Sequence, residues 1–196
     1  MLLICPDFVS SEQAKEVIGA LQQVTSAPLP PDVFANKLPN RTEVSGRIFR
    51  HIGMTEFDKW LTTLRQQILG EVRRLHGVSG PYYIDFTLLT EMKPGDYHAL
   101  HADNVKQVQD GRWVPNHTPW REHTAMLYLN TSAVDYEGGL LRFPTIRQEI
   151  VPQVGLLVSF PCGQQYEHEV TAVQQGCRYA ISIWFTRDPD HTESWS

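Results

Sequence analysis

The chain has 196 residues, of which 41% are hydrophobic and 20% are charged. This length suits one domain with its own core and is too short for two. A net charge of −5 lacks the basic excess of nucleic-acid-binding proteins, so we expect no nucleic-acid partner. No apolar run approaches the length of a membrane span, so we expect no membrane partner.

Cysteine usage bears on the compartment. Cys5, Cys162 and Cys177 are odd in number, and none of them forms a C-x-x-C pair. This usage favours a reducing compartment. The apolar residues 1–4 stop at Cys5 and Pro6, and we interpret them as a short first strand and not as a signal peptide. We therefore predict a cytoplasmic protein.

Residues 1–80 are predicted to be mainly helical and to support the rest of the fold. Ser10 to Gln13 offer capping side chains before apolar residues at helical spacing, which predicts a first helix. A proline-rich stretch at 27–31 ends it. A second helix is predicted for Thr55–His76, with Gly77 at the position of its C-terminal cap. We expect its apolar stripe to pack against a sheet.

From residue 81 to residue 190 the pattern changes to short strands separated by glycine and proline. The predicted strands are 84–92, 123–130, 140–143, 148–151, 156–160 and 178–186. Many short antiparallel strands in one domain predict a mainly β fold, either a sandwich, a jelly roll or a barrel. Residues 105–121 form a long polar insertion, which we interpret as a substrate lid.

Three residues have the composition of a metal site. His101 and Asp103 are two positions apart, so one strand would direct both side chains to the same face. His168 would join them from a distant strand. Two imidazoles and one carboxylate form the ligand set of non-haem Fe(II) with open coordination positions. The ligand types alone leave manganese and zinc open.

Arg178 lies at the start of a strand with two different faces. Tyr179, Ile181, Ile183 and Phe185 form an apolar face that we expect to pack on the helices. The opposite face consists of Arg178, Ala180, Ser182 and Trp184. An unpaired buried arginine is costly, so this face predicts a bound carboxylate, with a structural Arg–Glu pair as the alternative.

Three further features of the sequence need an interpretation, namely Tyr128, the glycine pair at 138–139 and His98. Tyr128 would either donate to the same carboxylate or be a core tyrosine, since its strand face also carries Thr124 and Met126. Gly138 and Gly139 are interpreted as a strand turn, because no helix follows to make a phosphate site. His98 is three residues from His101 and is expected to face the opposite side of a strand.

Several stretches together resemble a known family. They are His101-Ala102-Asp103-Asn104, 125–130, 137–143, 155–160, 176–181 and 184–189. In this order, residues 84–189 resemble the catalytic domain of Fe(II)/2-oxoglutarate-dependent prolyl hydroxylases, which is prolyl 4-hydroxylase-like. Within that family they most resemble the prolyl 3-hydroxylase (leprecan) branch.

This resemblance implies a fold and a set of cofactors. The fold would be a double-stranded β-helix, or jelly roll, with supporting helices. Fe(II) would be held by His101, Asp103 and His168, while Arg178 and Tyr128 would hold the cosubstrate 2-oxoglutarate. Ascorbate would serve as a reductant, and O2 would be consumed.

The resemblance also implies a substrate. By analogous position, Arg121, Trp120 and Trp184 would contact a protein or peptide substrate that contains proline. The expected reaction is hydroxylation of a peptidyl proline with release of succinate and CO2. One position departs from the family, since many members have tyrosine where this chain has His98.

Three alternatives stay open at this point. The first is a hydroxylase of a free amino acid or another small molecule. The second is a non-catalytic sensor that binds 2-oxoglutarate or metal, and the third is nucleic-acid demethylation, which the acidic balance disfavours. The choice between the 3- and 4-positions of proline and the oligomeric state are also open.

Overall fold

In the computed structural model, residues 1–26 and 33–194 are described. The predicted proline-rich stretch at 27–31 lies outside them. Helix α1 spans Ser11–Ser26 and has the predicted capping arrangement at its start. The Gln13 N–H donates to Ser10 Oγ (3.2 Å), and the Ser10 N–H donates to Gln13 Oε1 (2.9 Å).

Two further helices follow. Helix α2 is short, spans Ile48–His51 and was not predicted. Helix α3 spans Thr55–His76 and ends at Gly77, which adopts a left-handed conformation with φ of 64°. The Gly77 N–H bonds to the Arg73 carbonyl and so caps a carbonyl of the last turn. Both helices that the sequence predicted are confirmed.

The described residues also form fifteen strands, numbered in chain order. The first five are β1 (Leu3–Cys5), β2 (Ala35–Leu38), β3 (Arg41–Ser45), β4 (Tyr83–Met92) and β5 (His98–His101). The next are β6 (Val105–Gln107), β7 (Trp113–Pro115), β8 (Arg121–Tyr128), β9 (Tyr136–Gly138) and β10 (Leu141–Phe143). The last are β11 (Gln148–Ile150), β12 (Leu157–Pro161), β13 (His168–Val170), β14 (Val173–Gly176) and β15 (Arg178–Thr186).

Two sheets face each other. The larger has seven strands in the order β1-β12-β8-β15-β4-β3-β2, and the smaller has four in the order β11-β10-β13-β5. Two short two-stranded sheets, β14-β9 and β6-β7, complete the strands of the described part of the chain. The pairings within these sheets are antiparallel. This arrangement confirms the predicted double-stranded β-helix with supporting helices.

The larger sheet has a different hydrophobic core on each face. Its outer face packs against the three helices and includes the predicted apolar side chains of β15, Tyr179, Ile181, Ile183 and Phe185. Its inner face packs towards the smaller sheet, where Tyr128, Val158 and Phe160 share a core with Phe143 of the smaller sheet. The alternation predicted for β15 is therefore confirmed, and it directs Arg178 to the space between the two sheets.

The six predicted strands are all present, with ends that differ by at most two residues. The region 1–80, predicted as mainly helical, also adds β1, β2 and β3 to the larger sheet. Strands β2 and β3 were missed because they carry few apolar residues, and Thr42, Glu43 and Ser45 are buried polar residues. Within the described ranges, no helix combines the length and the apolar character needed to cross a membrane.

Candidate metal centre

The predicted ligands converge between the two sheets. His168 on β13 lies directly opposite His101 on β5, and their ring centroids are 4.5 Å apart. Asp103 lies just beyond the end of β5, so the expectation that one strand carries both His101 and Asp103 is corrected. One possible ligand atom from each of the three residues lies within 4.8 Å of the others.

Hydrogen bonds fix which nitrogen each imidazole presents. His101 Nδ1 is 2.8 Å from the Ala99 carbonyl, and His168 Nδ1 is 2.9 Å from the Tyr166 carbonyl. Because a carbonyl oxygen only accepts, each Nδ1 must carry the proton and donate it. Each Nε2 is therefore left as a lone-pair donor, which is the arrangement usual for metal-binding histidines.

Asp103 is held on all sides except one. Its Oδ2 accepts from the Thr124 hydroxyl at 2.5 Å, and its Oδ1 lies 3.7 Å from His101 Nε2. Its backbone N–H donates to the Cys162 carbonyl (3.2 Å), and its carbonyl accepts from the Thr118 hydroxyl (2.8 Å). Oδ1 is thus the oxygen that remains available to a cation, and Thr118 of the polar insertion helps to position it.

The protonation states also suit a metal. Burial alone would raise the pKa of Asp103, but His168, His101 and the Thr124 hydroxyl hold it below its ordinary value. Burial lowers the pKa of His168, and the neighbouring Asp103 offsets part of that effect. The site therefore presents an ionised carboxylate and a neutral imidazole near neutral pH, and metal binding requires both.

A cavity adjoins these ligands, and the inner face of the larger sheet forms one wall. That wall includes Thr124, Met126, Arg178, Ser182 and Trp184. Strand pairing explains it, because Ser182 lies opposite Met126 and Trp184 lies opposite Thr124. The open side is next to His101, whose side chain is 42% exposed.

Arg178 lies in this wall and is only 1% exposed. Its Nε donates to the Gly139 carbonyl (3.1 Å), and its Nη1 lies 3.4 Å from Met92 Sδ. Its Nη2 is buried without a hydrogen-bond partner. Among the described residues no carboxylate forms an ion pair with it, which argues against the structural Arg–Glu alternative.

Tyr128 lies beside this arginine. The centroid of its ring is 5.2 Å from Arg178 Cζ, and its hydroxyl is buried without a partner. Burial raises the pKa of Tyr128, so the phenol keeps its proton and remains a donor. An unpaired guanidinium nitrogen next to an unpaired hydroxyl is the donor set that a ligand carboxylate would complete. The residues present therefore fit the distal end of 2-oxoglutarate.

The glycine pair does more than the predicted turn. Both glycines have positive φ, 79° at Gly138 and 63° at Gly139. A Cβ on Gly139 would lie 2.7 Å from Arg178 Cδ, and one on Gly138 would lie 2.1 Å from the Ala172 carbonyl oxygen. The backbone of Gly139 thus holds Arg178 through its carbonyl, and a side chain at position 139 would collide with the arginine.

His98 lines the cavity together with His101, contrary to the expectation that it faces away. The reason is a bulge, because His98 and His101 on β5 pair with Val170 and His168 on β13. The three-residue interval from His98 to His101 on β5 lies opposite a two-residue interval on β13, so both imidazoles are directed to the same side. Burial lowers the pKa of His98 to about 3, and its ring is therefore neutral.

The three residues predicted to bind substrate lie at different distances from the cavity. Trp184 lines it, and Arg121 Cζ lies 4.3 Å from the centroid of the Trp184 ring. Arg121 also pairs with Asp85, at 2.6 Å from Nε to Oδ2. Trp120 donates from Nε1 to the same carboxylate (3.0 Å) and stacks on His191. Their contact with substrate stays a prediction.

The sequence is similar to known enzymes. It is 37% identical to prolyl 3-hydroxylase 1 of Homo sapiens over 107 residues, which cover 50% of this chain and 14% of that protein. It is 36% identical to prolyl 3-hydroxylase 2 of Gallus gallus over 104 residues, which cover 49% and 15%. The chain thus spans only a small part of the length of these curated relatives.

Solved structures share the fold. The viral collagen prolyl hydroxylase vCPH from Paramecium Bursaria Chlorella virus-1 has a TM-score of 0.63 at 18% identity, covering 95% of this chain and 96% of that one. A prolyl-4-hydroxylase from Pseudomonas putida has a TM-score of 0.62 at 20% identity, covering 95% and 92%. A Trichoplax adhaerens prolyl hydroxylase in complex with a hypoxia inducible factor peptide fragment has a TM-score of 0.64 at 21% identity, covering 97% and 85%.

A sequence model of the 2OG-Fe(II) oxygenase superfamily matches residues 87–186, which include the predicted metal ligands, Tyr128 and Arg178. The superfamily implies Fe(II) and 2-oxoglutarate, and both groups suit the donor atoms described above. The chain therefore belongs to the 2OG-Fe(II) oxygenase superfamily.

Proposed function

We propose that this protein hydroxylates a proline residue within a peptide or protein, consuming O2 and 2-oxoglutarate and releasing succinate and CO2. The observation that carries the proposal is the pairing of a three-ligand site with a buried, unpaired Arg178 Nη2 in one cavity. The similarity to prolyl 3-hydroxylases 1 and 2 supports proline as the target.

In this proposal His101, Asp103 and His168 hold Fe(II) through two Nε2 atoms and one carboxylate oxygen. Three ligands leave coordination positions open on the metal. Arg178 and Tyr128 would hold the distal carboxylate of 2-oxoglutarate through the donors that have no other partner. When bound, the Fe(II) and 2-oxoglutarate pair supplies the oxidative chemistry that amino-acid side chains lack.

Other groups of the site orient the metal ligands, and burial shields two of these ligands from water. Thr124 holds Asp103 through Oδ2, and the Ala99 and Tyr166 carbonyls hold the two imidazoles in one tautomer. Burial shields Asp103 and His168 themselves from bulk water, while the side next to His101 stays open to substrate. Orientation of the reacting groups is what the protein adds to a metal-based oxidation.

The substrate proline would approach from the open side near His101. Trp184 offers an aromatic wall to the cavity, and the guanidinium of Arg121 lies over its ring. Trp120, Arg121 and Trp184 are proposed as the contacts for the peptide. A structural neighbour is described as a complex with a peptide fragment, which fits a peptide-sized ligand on this fold.

A small-molecule substrate is the second candidate. HygX from Streptomyces hygroscopicus, described with nickel, 2-oxoglutarate and hygromycin B bound, has the same fold with a TM-score of 0.61 at 11% identity. A non-catalytic sensor is the candidate from another class. It would need the same two ligands, but it would not turn them over.

We also propose that residues 1–196 form one oxygenase domain that works in the cytoplasm, with ascorbate as the reductant that maintains the metal. Three cysteines that form no disulfide support a reducing compartment. Fractionation of the host cell tests the location. The dependence of repeated turnover on added ascorbate tests the reductant.

The deciding experiment is incubation with Fe(II), 2-oxoglutarate and O2, in parallel with proline-containing peptides and with free amino acids. We expect succinate to form together with a peptide product heavier by one oxygen atom, located on a proline. An oxidised free amino acid with no oxidised peptide would favour the small-molecule candidate. Binding of both ligands without succinate from any substrate would favour the sensor.

A further inference from the structure

Tyr136 carries a third buried polar atom without a partner near the arginine. Its side chain is almost enclosed, with the residue 3% exposed, and its hydroxyl proton has no acceptor among the described residues. The two other such atoms nearby are Arg178 Nη2 and the Tyr128 hydroxyl. Buried hydroxyls in folded proteins nearly always have a partner, so a third unpaired donor here needs an explanation.

The position of Tyr136 is fixed by two glycines. A Cβ on Gly139 would lie 2.7 Å from Arg178 Cδ and 2.9 Å from Tyr136 Cε2. The stem of Arg178 and the Tyr136 ring therefore approach the same point of the backbone. On the other side, Gly176 pairs with Tyr136, and a Cβ there would lie 2.9 Å from Tyr136 Cα and Cβ. The ring has little freedom to turn its hydroxyl elsewhere.

Electrostatics makes this hydroxyl a donor. Burial raises the pKa of Tyr136 far above its ordinary value, and the positive charge of Arg178 offsets only part of that rise. The phenol is therefore neutral and carries its proton. A guanidinium cannot accept this proton, because it has donors only. An acceptor from outside the chain is the group that would satisfy it.

We propose that Tyr136 donates a hydrogen bond to the distal carboxylate of 2-oxoglutarate, beside Arg178 and Tyr128, and thereby helps to select a dicarboxylic keto acid. A carboxylate has about four lone-pair positions, so it can accept from all three side chains at once. This inference rests on the proposed binding of 2-oxoglutarate by the same site. It assigns a third side chain to the selection of the cosubstrate.

The test is the variant Tyr136→Phe, which removes only the hydroxyl. Calorimetry of the Mn(II)-loaded protein, which avoids turnover, measures affinity for 2-oxoglutarate and for 2-oxopentanoate. The second compound has the same carbon chain but no distal carboxylate. We expect Tyr136→Phe to weaken 2-oxoglutarate binding by about tenfold, since hydrogen bonds to charged groups are strong, and to leave 2-oxopentanoate binding unchanged.

Thermal unfolding of ligand-free Tyr136→Phe separates a ligand-binding hydroxyl from a structural one, because the two roles predict different changes in the melting temperature. Removing an unpaired buried hydroxyl should leave the melting temperature unchanged or raise it. A fall in the melting temperature would mean that the hydroxyl already has a partner, and it would overturn the inference. Equal weakening of both keto acids would overturn it as well.

Tyr179→Phe is the matched control. Tyr179 is a buried tyrosine on the outer face of β15, and its hydroxyl donates to Glu91 at 2.8 Å. We expect this variant to melt at a lower temperature and to bind 2-oxoglutarate normally. If the unmodified protein fails to bind 2-oxoglutarate, the proposed function itself is wrong. If the unmodified protein binds it and Tyr136→Phe binds it equally well, only the inference about Tyr136 is wrong.

Discussion

The two ends of the cavity satisfy their polar atoms in different ways. At the metal end, the second polar atom of each predicted ligand is already hydrogen-bonded by the chain, to the Ala99 and Tyr166 carbonyls and the Thr124 hydroxyl. At the arginine end, Arg178 Nη2 and the Tyr128 and Tyr136 hydroxyls have no partner.

This difference has a physical consequence. The metal end is organised before any ligand arrives, because the chain itself fixes the tautomers and the carboxylate. The arginine end is complete only when a carboxylate is bound. Substitutions at the metal end should therefore act on metal affinity. Substitutions at the arginine end should act on 2-oxoglutarate affinity and leave the binding of metal alone intact.

The largest expected effect is at the metal end. Asp103→Ala removes the only carboxylate of the ligand set, so we expect metal binding and turnover to fall below detection. Metal content after dialysis and succinate release measure the two effects. Glu169→Ala is the matched control, since Glu169 adjoins His168 but is absent from the cavity wall. Substrate-coupled succinate production by Asp103→Ala would contradict the assignment.

The next effect tests the arginine end. Arg178→Ala removes the cation and the unpaired Nη2 together, and we expect 2-oxoglutarate affinity to fall by about 100-fold or more, because charge-assisted bonds are lost. Calorimetry with the Mn(II)-loaded protein measures this affinity. Metal affinity without 2-oxoglutarate should stay within about twofold of that of the unmodified protein. A parallel loss of metal affinity would contradict the separate roles assigned to the two ends.

A smaller effect is expected where the chain supports the metal ligands. Thr124→Val keeps the shape of the side chain but removes the donor to Asp103 Oδ2, and loss of such a partner typically lowers metal affinity about 10- to 100-fold. Competition with a chelator measures it. Thr90→Val, in the same cavity wall, is the control. Equal metal affinity in the two variants would show that Thr124 does not orient the carboxylate.

The smallest effect concerns stability and involves two histidines that do not line the cavity. The ring centroids of His76 and His123 are 4.1 Å apart, and burial lowers the pKa of each to about 4. The unfolded chain takes up protons near pH 6.5 while the folded one does not, so stability should fall as pH drops from about 6.5 towards 4. Solvent screening keeps the slope below about 1.4 kcal/mol per pH unit for each imidazole.

Urea unfolding of the metal-free protein at several pH values measures this slope. Replacing both histidines with glutamine should flatten it, because glutamine does not titrate in this range. His51→Gln is the control, since His51 lies outside this pair. An unchanged slope in the double variant would mean that other groups, such as His98 and His168, dominate the acid sensitivity.

The sequence was sufficient for those parts of the site that depend on residue type and alternation. The order His101, Asp103, His168 and Arg178 indicated the donor set, and the period of two in β15 indicated that Arg178 faces inwards. These features are local, so they can be read without knowing which strands pair.

Features that depend on pairing were missed. The role of Gly139 depends on its approach to Arg178, which is 39 residues away in the chain. His98 faces the cavity because of a bulge between β5 and β13, and no periodicity on one strand reveals a bulge. Tyr136 was not singled out, because β9 has only three residues and so shows no alternation that would mark an inward-facing side chain. Strand β3 has buried polar residues, which hide its alternation.

A crystal structure grown with Mn(II) and 2-oxoglutarate tests the central claim most directly. The account predicts one metal ion bound to His101, Asp103 and His168, with the distal carboxylate of 2-oxoglutarate against Arg178 and the hydroxyls of Tyr128 and Tyr136. A metal bound elsewhere, or Arg178 still without a carboxylate in a crystal that contains the cosubstrate, would contradict it.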